Sequence, residues 1–302
     1  MTKKSQFPLL AEFRLSILAG LAVLALTLFA CSGDNDDDTD TPSTPSSSSD
    51  TPSSSSNVPS TRISPDDIDF DEITFWAGSC NGSNCYRAAF IVQWNDTLNP
   101  DGFIWGYKWD STETKYGIDM IKAVAKKDSR FYALLYDTPS LDPSTGDSLG
   151  VAVAGFGYDL FGYYPNNENG FKLVLNTDTA NGSPSSDIIL LPNSNGLFWA
   201  DTIAPFDTVY KSFDYYRSKD STDHWQSGWF TKGYWSYWVT DTIGTEWASS
   251  YVGASTRELK NGSVDAWFFV VDFNPTGCIY DDDCDGREIF GELNTVEESE
   301  EP

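Results

Sequence analysis

The sequence predicts an α+β fold in which strands dominate, and three observations lead to it. Runs of alternating or β-branched apolar residues recur along the chain between Gly, Asn and Asp turns. One stretch alone has apolar residues at helical spacing. Hydrophobic residues make up 40% of the 302 residues and aromatics 15%, ample for a packed core.

In chain order, Arg87 to Trp94 is apolar with β-branched members, and Phe103 to Trp109 alternates strictly. Both read as strands. From Gly117 to Lys127 the residues Ile118, Ile121 and Ala125, with Met120 and Val124 beside them, predict a helix of about three turns. Leu149 to Tyr158, Phe171 to Leu175, Ile188 to Leu191, Tyr234 to Val239 and Val264 to Phe273 return to strand patterning. Two strands, a helix and further strands point to a helix laid across one face of an antiparallel sheet. Residues 176–232, rich in Asn, Ser, Asp and aromatics, interrupt that order and read as an inserted loop region or lid. Residues 274–302 read as an acidic tail.

The amino terminus gives an address. Lys3, Lys4 and Arg14 precede an uncharged run from Leu15 to Ala30, the charged-then-apolar order of a secretory signal peptide and short for a membrane span. The run ends in Leu28-Phe29-Ala30-Cys31, which resembles the bacterial lipobox. That resemblance implies removal of residues 1–30 and lipidation of Cys31, whose acyl methylenes would each contribute roughly 0.8 kcal/mol of membrane affinity. Ser32 after the cysteine points to the outer membrane rather than the inner one. Residues 31–62 form the tether: the acidic cluster Asp34 to Asp40, then a tract in which 17 of residues 41–60 are Ser, Thr or Pro. Such a tract has almost nothing apolar to bury and stays solvated. The acidic run is either an export signal of the kind carried by surface lipoproteins or a plain linker. Residues 63–302 are then a single globular β-rich domain.

Composition excludes several classes of function. The formal net charge of −26 opposes nucleic-acid binding. A single histidine, His224, cannot build a multi-histidine metal site. After Cys31 four cysteines remain, in two close pairs, Cys80 with Cys85 and Cys278 with Cys284. They allow three connectivities, of which local pairing is the simplest in an oxidising compartment.

The runs Gly233 to Val239, Val252-Gly253-Ala254-Ser255, Glu258 to Ser263 and Ala266-Trp267-Phe268-Phe269 resemble the carboxy-terminal half of the transcobalamin-like C-terminal domain, and the helix from Gly117 to Ala125 is similar to that family's helix. The resemblance implies a β-grasp-like antiparallel sheet with one main helix. It also implies a binding module, with cobalamin or another corrinoid nutrient as one ligand class. Gly262 is expected to supply the positive φ of a tight turn.

Two further features carry candidate chemistry. Phe103, Trp105, Tyr107 and Trp109 share one strand face, as do Trp235 and Tyr237 on another, and Trp225, Trp229, Trp235 and Trp238 form a dense group. Such rows either stack on sugar rings, flanked by Asn95, Asp96, Asp110 and Asp159, or fill the core. The candidate ligand-binding residues are therefore Trp225, Trp229, Trp235, Tyr237, Trp238 and Trp109. In the tail, Asp281, Asp283, Asp285 and Glu292 fit the D-x-D-x-D-G-x5-E spacing that wraps a calcium ion. The alternative is a solvated acidic loop closed by a disulfide. Catalysis has less to recommend it: Asp223-His224 lies in no nucleophile-elbow pattern, and no glycine loop cradles phosphate. The expectation is a lipid-anchored, non-catalytic surface protein that captures polysaccharide. The alternatives are a corrinoid binder and a structural or adhesive envelope protein with a calcium-stabilised tail.

Overall fold

In the computed structural model, which describes residues 61–139, 148–161, 170–176, 187–200, 213–228, 231–274 and 284–297, the helix runs from Gly117 to Lys127, where the apolar spacing puts it. Cys31, the rest of the tether through residue 60, Trp229, Cys278, Asp281 and Asp283 lie outside the described residues. The elements are β1 (Arg62–Ile63), β2 (Trp76–Gly78), β3 (Cys85–Gln93), β4 (Gly102–Asp110), α1 (Gly117–Lys127), β5 (Phe131–Pro139), β6 (Ser148–Tyr158), β7 (Leu173–Asn176), β8 (Asp187–Leu190), β9 (Leu197–Trp199), β10 (Tyr216–Ser218), β11 (His224–Ser227), β12 (Gly233–Thr240), β13 (Ala248–Ser249), β14 (Ser263–Val271) and β15 (Leu293–Thr295). The fold is α+β and dominated by strands.

The large sheet has the order β1-β15-β4-β3-β14-β12-β13, with β2 also paired to β4. Its heart is the hairpin β3–β4, the helix that follows it, and β14 returning between β3 and β12. That is the β-grasp order. Because β14 runs parallel to β3, the sheet is mixed rather than purely antiparallel, a correction to the sequence expectation. Gly262, just before β14, has φ +97°, as a tight turn there requires.

The helix buries Ile118, Met120, Ile121, Val124 and Ala125 against this sheet. Each of the larger of these side chains contributes roughly 1.5–3 kcal/mol by leaving water. Its first amides are satisfied from outside the helix. Gly117 N–H donates to the Arg257 carbonyl (2.9 Å) and Ile118 N–H to the Ala254 carbonyl (3.0 Å), while Asp119 accepts from Tyr116 N–H (3.0 Å). Lys126 and Lys127 lie at the other end, where the helix dipole favours cations.

Between α1 and β12 the chain builds two more sheets, β11-β6-β5-β9 and β10-β7-β8. The four-stranded sheet covers the helix side of the large sheet, joining Phe131, Leu135 and Phe156 to Phe90, Trp105 and Trp267 in one interior. Its far face packs on the three-stranded sheet through Tyr132, Leu134, Phe171, Phe198, Phe213 and Trp225. The other face of the large sheet is covered by Ile63 and Phe70 from the first described segment, Trp247 from the connection between β12 and β13, and Phe290 from the last described segment. Three interiors therefore stack through the domain. The stretch 176–232 is not a loop: β8, β9, β10, β11 and a 3-10 turn at Phe213–Tyr215 fall within it. Nor is 274–302 wholly a tail, since β15 pairs in parallel with β4.

A polar knot ties these parts together. Asp265, on β14, is fully buried on the helix side. Its Oδ2 accepts from the Tyr237 hydroxyl of β12 (2.5 Å) and its Oδ1 from Arg257 Nε (3.3 Å), in the segment that caps the helix. Arg257 also pairs with Asp241 (2.6 Å) and donates to the Thr240 carbonyl (3.1 Å). Burial pushes the Asp265 carboxyl up to about 6 despite the arginine beside it. A Cβ on Gly117 would sit 2.8 Å from Asp265 Oδ2 and 2.9 Å from the Tyr237 hydroxyl, so only glycine lets the helix start this close.

Removing the arginine while keeping the buried carboxylate should be costly. Arg257→Met is expected to lower the urea unfolding free energy by about 3 kcal/mol, and adding Asp265→Asn to recover part of it. An additive double variant would mean that the two groups do not act as a pair.

Candidate functional site

The five described aromatic residues expected at a binding surface are inside the protein. Trp109 is 1% exposed and Trp238 2%, while Trp225, Trp235 and Tyr237 are also buried. Phe103, Trp105, Tyr107 and Trp109 do share one face, but α1 and the four-stranded sheet cover it. Tyr237 stacks on Trp267 with ring centroids 4.1 Å apart, and Trp238 points the other way, into the interior with Trp247 and Phe290. On β4 and β12 these rings are therefore core packing, the second of the two readings of the rows. The sheet faces that alternation predicted are right, and both are covered.

The remaining candidates are placed as follows. Cys80 and Cys85 form a disulfide, closing the loop before β3 with Cα atoms 5.7 Å apart. Cys284 is disulfide-bonded as well, and its expected partner, Cys278, lies outside the described residues. Asp285 accepts from Trp247 N–H (3.1 Å) and from the Arg287 backbone (3.1 Å), and it pairs with the Arg287 guanidinium. Hydrogen bonds and charge from Arg287 and Trp247 outweigh burial and hold its carboxyl below the usual range. Glu292 pairs with Arg62 at 3.0 Å. A calcium ion at these two carboxylates would compete with an arginine at each. Among the described residues no group of three or more His, Cys, Asp or Glu side chains is placed to hold a metal ion.

The arrangement with converging chemistry lies elsewhere, in a cleft of about 410 Å³ between residues 96–98 and the strands β10 and β11. Its wall includes Asp96, Thr97, Tyr216, Arg217, Ser218, Lys219, Asp223, Trp225, Gln226 and Lys232. A second cleft of about 450 Å³ lies beside the end of α1, with Lys126, Tyr132, Phe171 and Asn193 in its wall. The first has more ionisable groups and a conformationally costly backbone. Asn95 and Thr97 adopt φ of 53° and 72°, and Thr97, being β-branched, is poorly suited to that region.

His224 fixes the loop to β11. The ring is fully buried and stacks on Trp94 with centroids 4.7 Å apart. Nε2 donates to the Pro100 carbonyl at 2.8 Å, and Nδ1 lies 3.0 Å from both Asp96 oxygens. With both nitrogens engaged and no solvent contact, the ring cannot serve as a base for a bound molecule. Asp101 holds the other side of the loop by accepting from Asn95 N–H at 2.7 Å, and burial pushes its carboxyl up.

The groups facing the opening have altered acidities. Burial, then the neighbouring charges of Asp159 and Asp220, push the Asp223 carboxyl up to about 7. Desolvation pulls the Lys232 amine below the usual lysine range, against the favourable charge of Asp214. Among the described residues of this wall the other carboxylate, Asp96, is engaged with His224, and Asp223 accepts from Leu160 N–H at 3.3 Å. The arrangement suits binding: ring edge, amide, hydroxyls and charges face one opening.

An acid whose pKa is raised by folding binds its proton more tightly in the native state, so Asp223 weakens stability as pH rises from about 4 to about 7. The melting temperature of Asp223→Asn relative to wild type should increase across that interval; a constant difference would contradict the assignment. Thr97→Gly should raise the unfolding free energy by roughly 1 kcal/mol through relief of the left-handed conformation. No protein-family model, curated protein or solved structure matches this chain, so the geometry of the cleft carries the functional argument.

Proposed function

We propose that this chain is a lipid-anchored, non-catalytic binding protein of the outer cell surface that captures extracellular polysaccharide, and that the cleft beside His224 is where a sugar chain is held. One observation carries the reading: Trp225 lines the same opening as Gln226, Ser218, Arg217 and Asp223. A polyol needs hydrogen-bond donors and acceptors around it, and an aromatic edge gives its C–H faces a partner. The Asp96–His224 anchor and the Asn95–Thr97 backbone support a rigid wall, which lowers the entropy lost on binding. Anchoring rests on the lipobox-like sequence ending at Cys31 and the Ser/Pro tether that follows.

A second reading, corrinoid capture by a transcobalamin-like module, draws support from the β-grasp strand order of the large sheet. The two readings separate in one titration of intrinsic tryptophan fluorescence, with the full chain in mild detergent against soluble glycans and cobalamin. The glycan reading expects a saturable change with a glycan, weakened at least about tenfold by Gln226→Ala. Saturation by cobalamin alone, with a shift in its visible absorbance, would favour the second. Cys31→Ala should abolish incorporation of labelled palmitate in the producing cell; labelling that persists would refute the anchor.

A further inference from the structure

The two clefts meet at one strand pair. Lys219, in the wall of the cleft beside His224, donates its N–H to the Lys172 carbonyl at 2.9 Å, which extends the β10–β7 ladder one pair beyond Ser218 and Leu173. Lys172 lines the second cleft, the one beside the end of α1. Residues directly opposite each other in an antiparallel pair project from the same face of a sheet, and neighbouring strands are about 4.8 Å apart. Clefts of about 410 and 450 Å³ are therefore divided here by no more than the width of one strand pair.

The rings beneath them are continuous as well. Trp225 of the first cleft and Phe171 of the second have centroids 6.0 Å apart, and Phe171 stacks on Tyr132, also of the second, at 4.3 Å. All three are buried in the same interior and give both clefts one aromatic floor. Polar groups surround the second opening as they do the first. Asn193 Oδ1 accepts from Asn195 N–H (2.9 Å) and Leu197 N–H (3.1 Å), which fixes the side chain and keeps its amide nitrogen as a donor, while Lys126, Ser129 and Ser194 are exposed in the same wall.

We infer that the two clefts are consecutive subsites for one chain: a polysaccharide crosses the β7–β10 pair at Lys172 and Lys219 and places sugars in both. The inference rests on the reading of the first cleft as a glycan site and names the class of ligand, a polymer held along its length rather than a mono- or disaccharide. Filling a second subsite from a chain already bound costs little further translational and rotational freedom, so affinity rises with chain length until both clefts are occupied.

The test is isothermal titration of the full chain in mild detergent with cello-, xylo- and manno-oligosaccharides of two and of six sugars. In a series that binds, the longer member should bind at least about tenfold more tightly than the shorter. Ser194→Tyr, which narrows the second cleft, and Lys126→Ala in its wall should each remove most of that gain, with the affinity for the shorter member and the melting temperature nearly unchanged. Gln226→Ala, in the first cleft, should weaken both lengths. Equal affinity for the two lengths, or a gain that survives both second-cleft variants, would overturn the two-subsite assignment and leave the glycan reading of the first cleft standing. Failure of every series to bind would remove the glycan reading and the inference with it.

Discussion

A single carboxylate placed where water cannot reach it organises the large sheet. Asp265 lies at the crossing of β14, β12 and the start of α1, and a charge there is tolerated only because Tyr237 and Arg257 meet it. The consequences spread outward. Arg257 must sit at the helix start, so its carbonyl is in place to cap Gly117. Position 117 must lack a side chain, or the helix could not approach. Asp241 and Thr240 are drawn in by the same guanidinium, which orders the end of β12. Pairs of this kind add little net stability compared with apolar packing, but they penalise any arrangement that separates the partners.

The abundance of tryptophan has a packing explanation. Eleven tryptophans are a surplus for one interior between a sheet and a helix. Here there are three interiors, and the described tryptophans are shared among them. Trp105, Trp109, Trp235 and Trp267 lie in the one beneath the helix, Trp238 and Trp247 behind the large sheet, and Trp225 against the three-stranded sheet. Large flat side chains fill the space between layers at low entropic cost per buried area, and several meet edge to face, as Phe156 does with Trp235 and Trp267. What looked like a platform is the consequence of layering.

The legibility of the sequence follows the range of the interactions involved. The helix, the β3–β4 hairpin, β12 and β14 have local periodicity, and the structure places them at nearly the predicted bounds. Gly262 was readable because a tight turn needs its positive φ. β5 was missed: Phe131, Ala133 and Leu135 face one interior while Tyr132 and Leu134 face another, so no alternation of apolar and polar residues marks it. The short strands β9, β10 and β11 are defined by pairing with distant partners rather than by pattern. The cleft was invisible for a related reason. His224 was singled out as the lone histidine, but its partner Asp96 is 128 residues away, and nothing in Asn95-Asp96-Thr97 announces a left-handed backbone. Clues did exist in Arg217-Ser218-Lys219, a basic cluster in an acidic chain, and in the Asn95-Asp96 pair already marked as a possible sugar contact.

The central claim is that the aromatic-rich layers are closed and that ligand contact lies at the cleft beside His224, not on β4 or β12. Hydrogen–deuterium exchange of the full chain, with and without a saturating soluble glycan, tests this directly. The account predicts added protection in residues 95–101 and 216–227, with β4 and β12 already slow to exchange and unchanged by the ligand. New protection along β4 and β12, with none at the cleft, would contradict it and return the binding surface to the tryptophan strands.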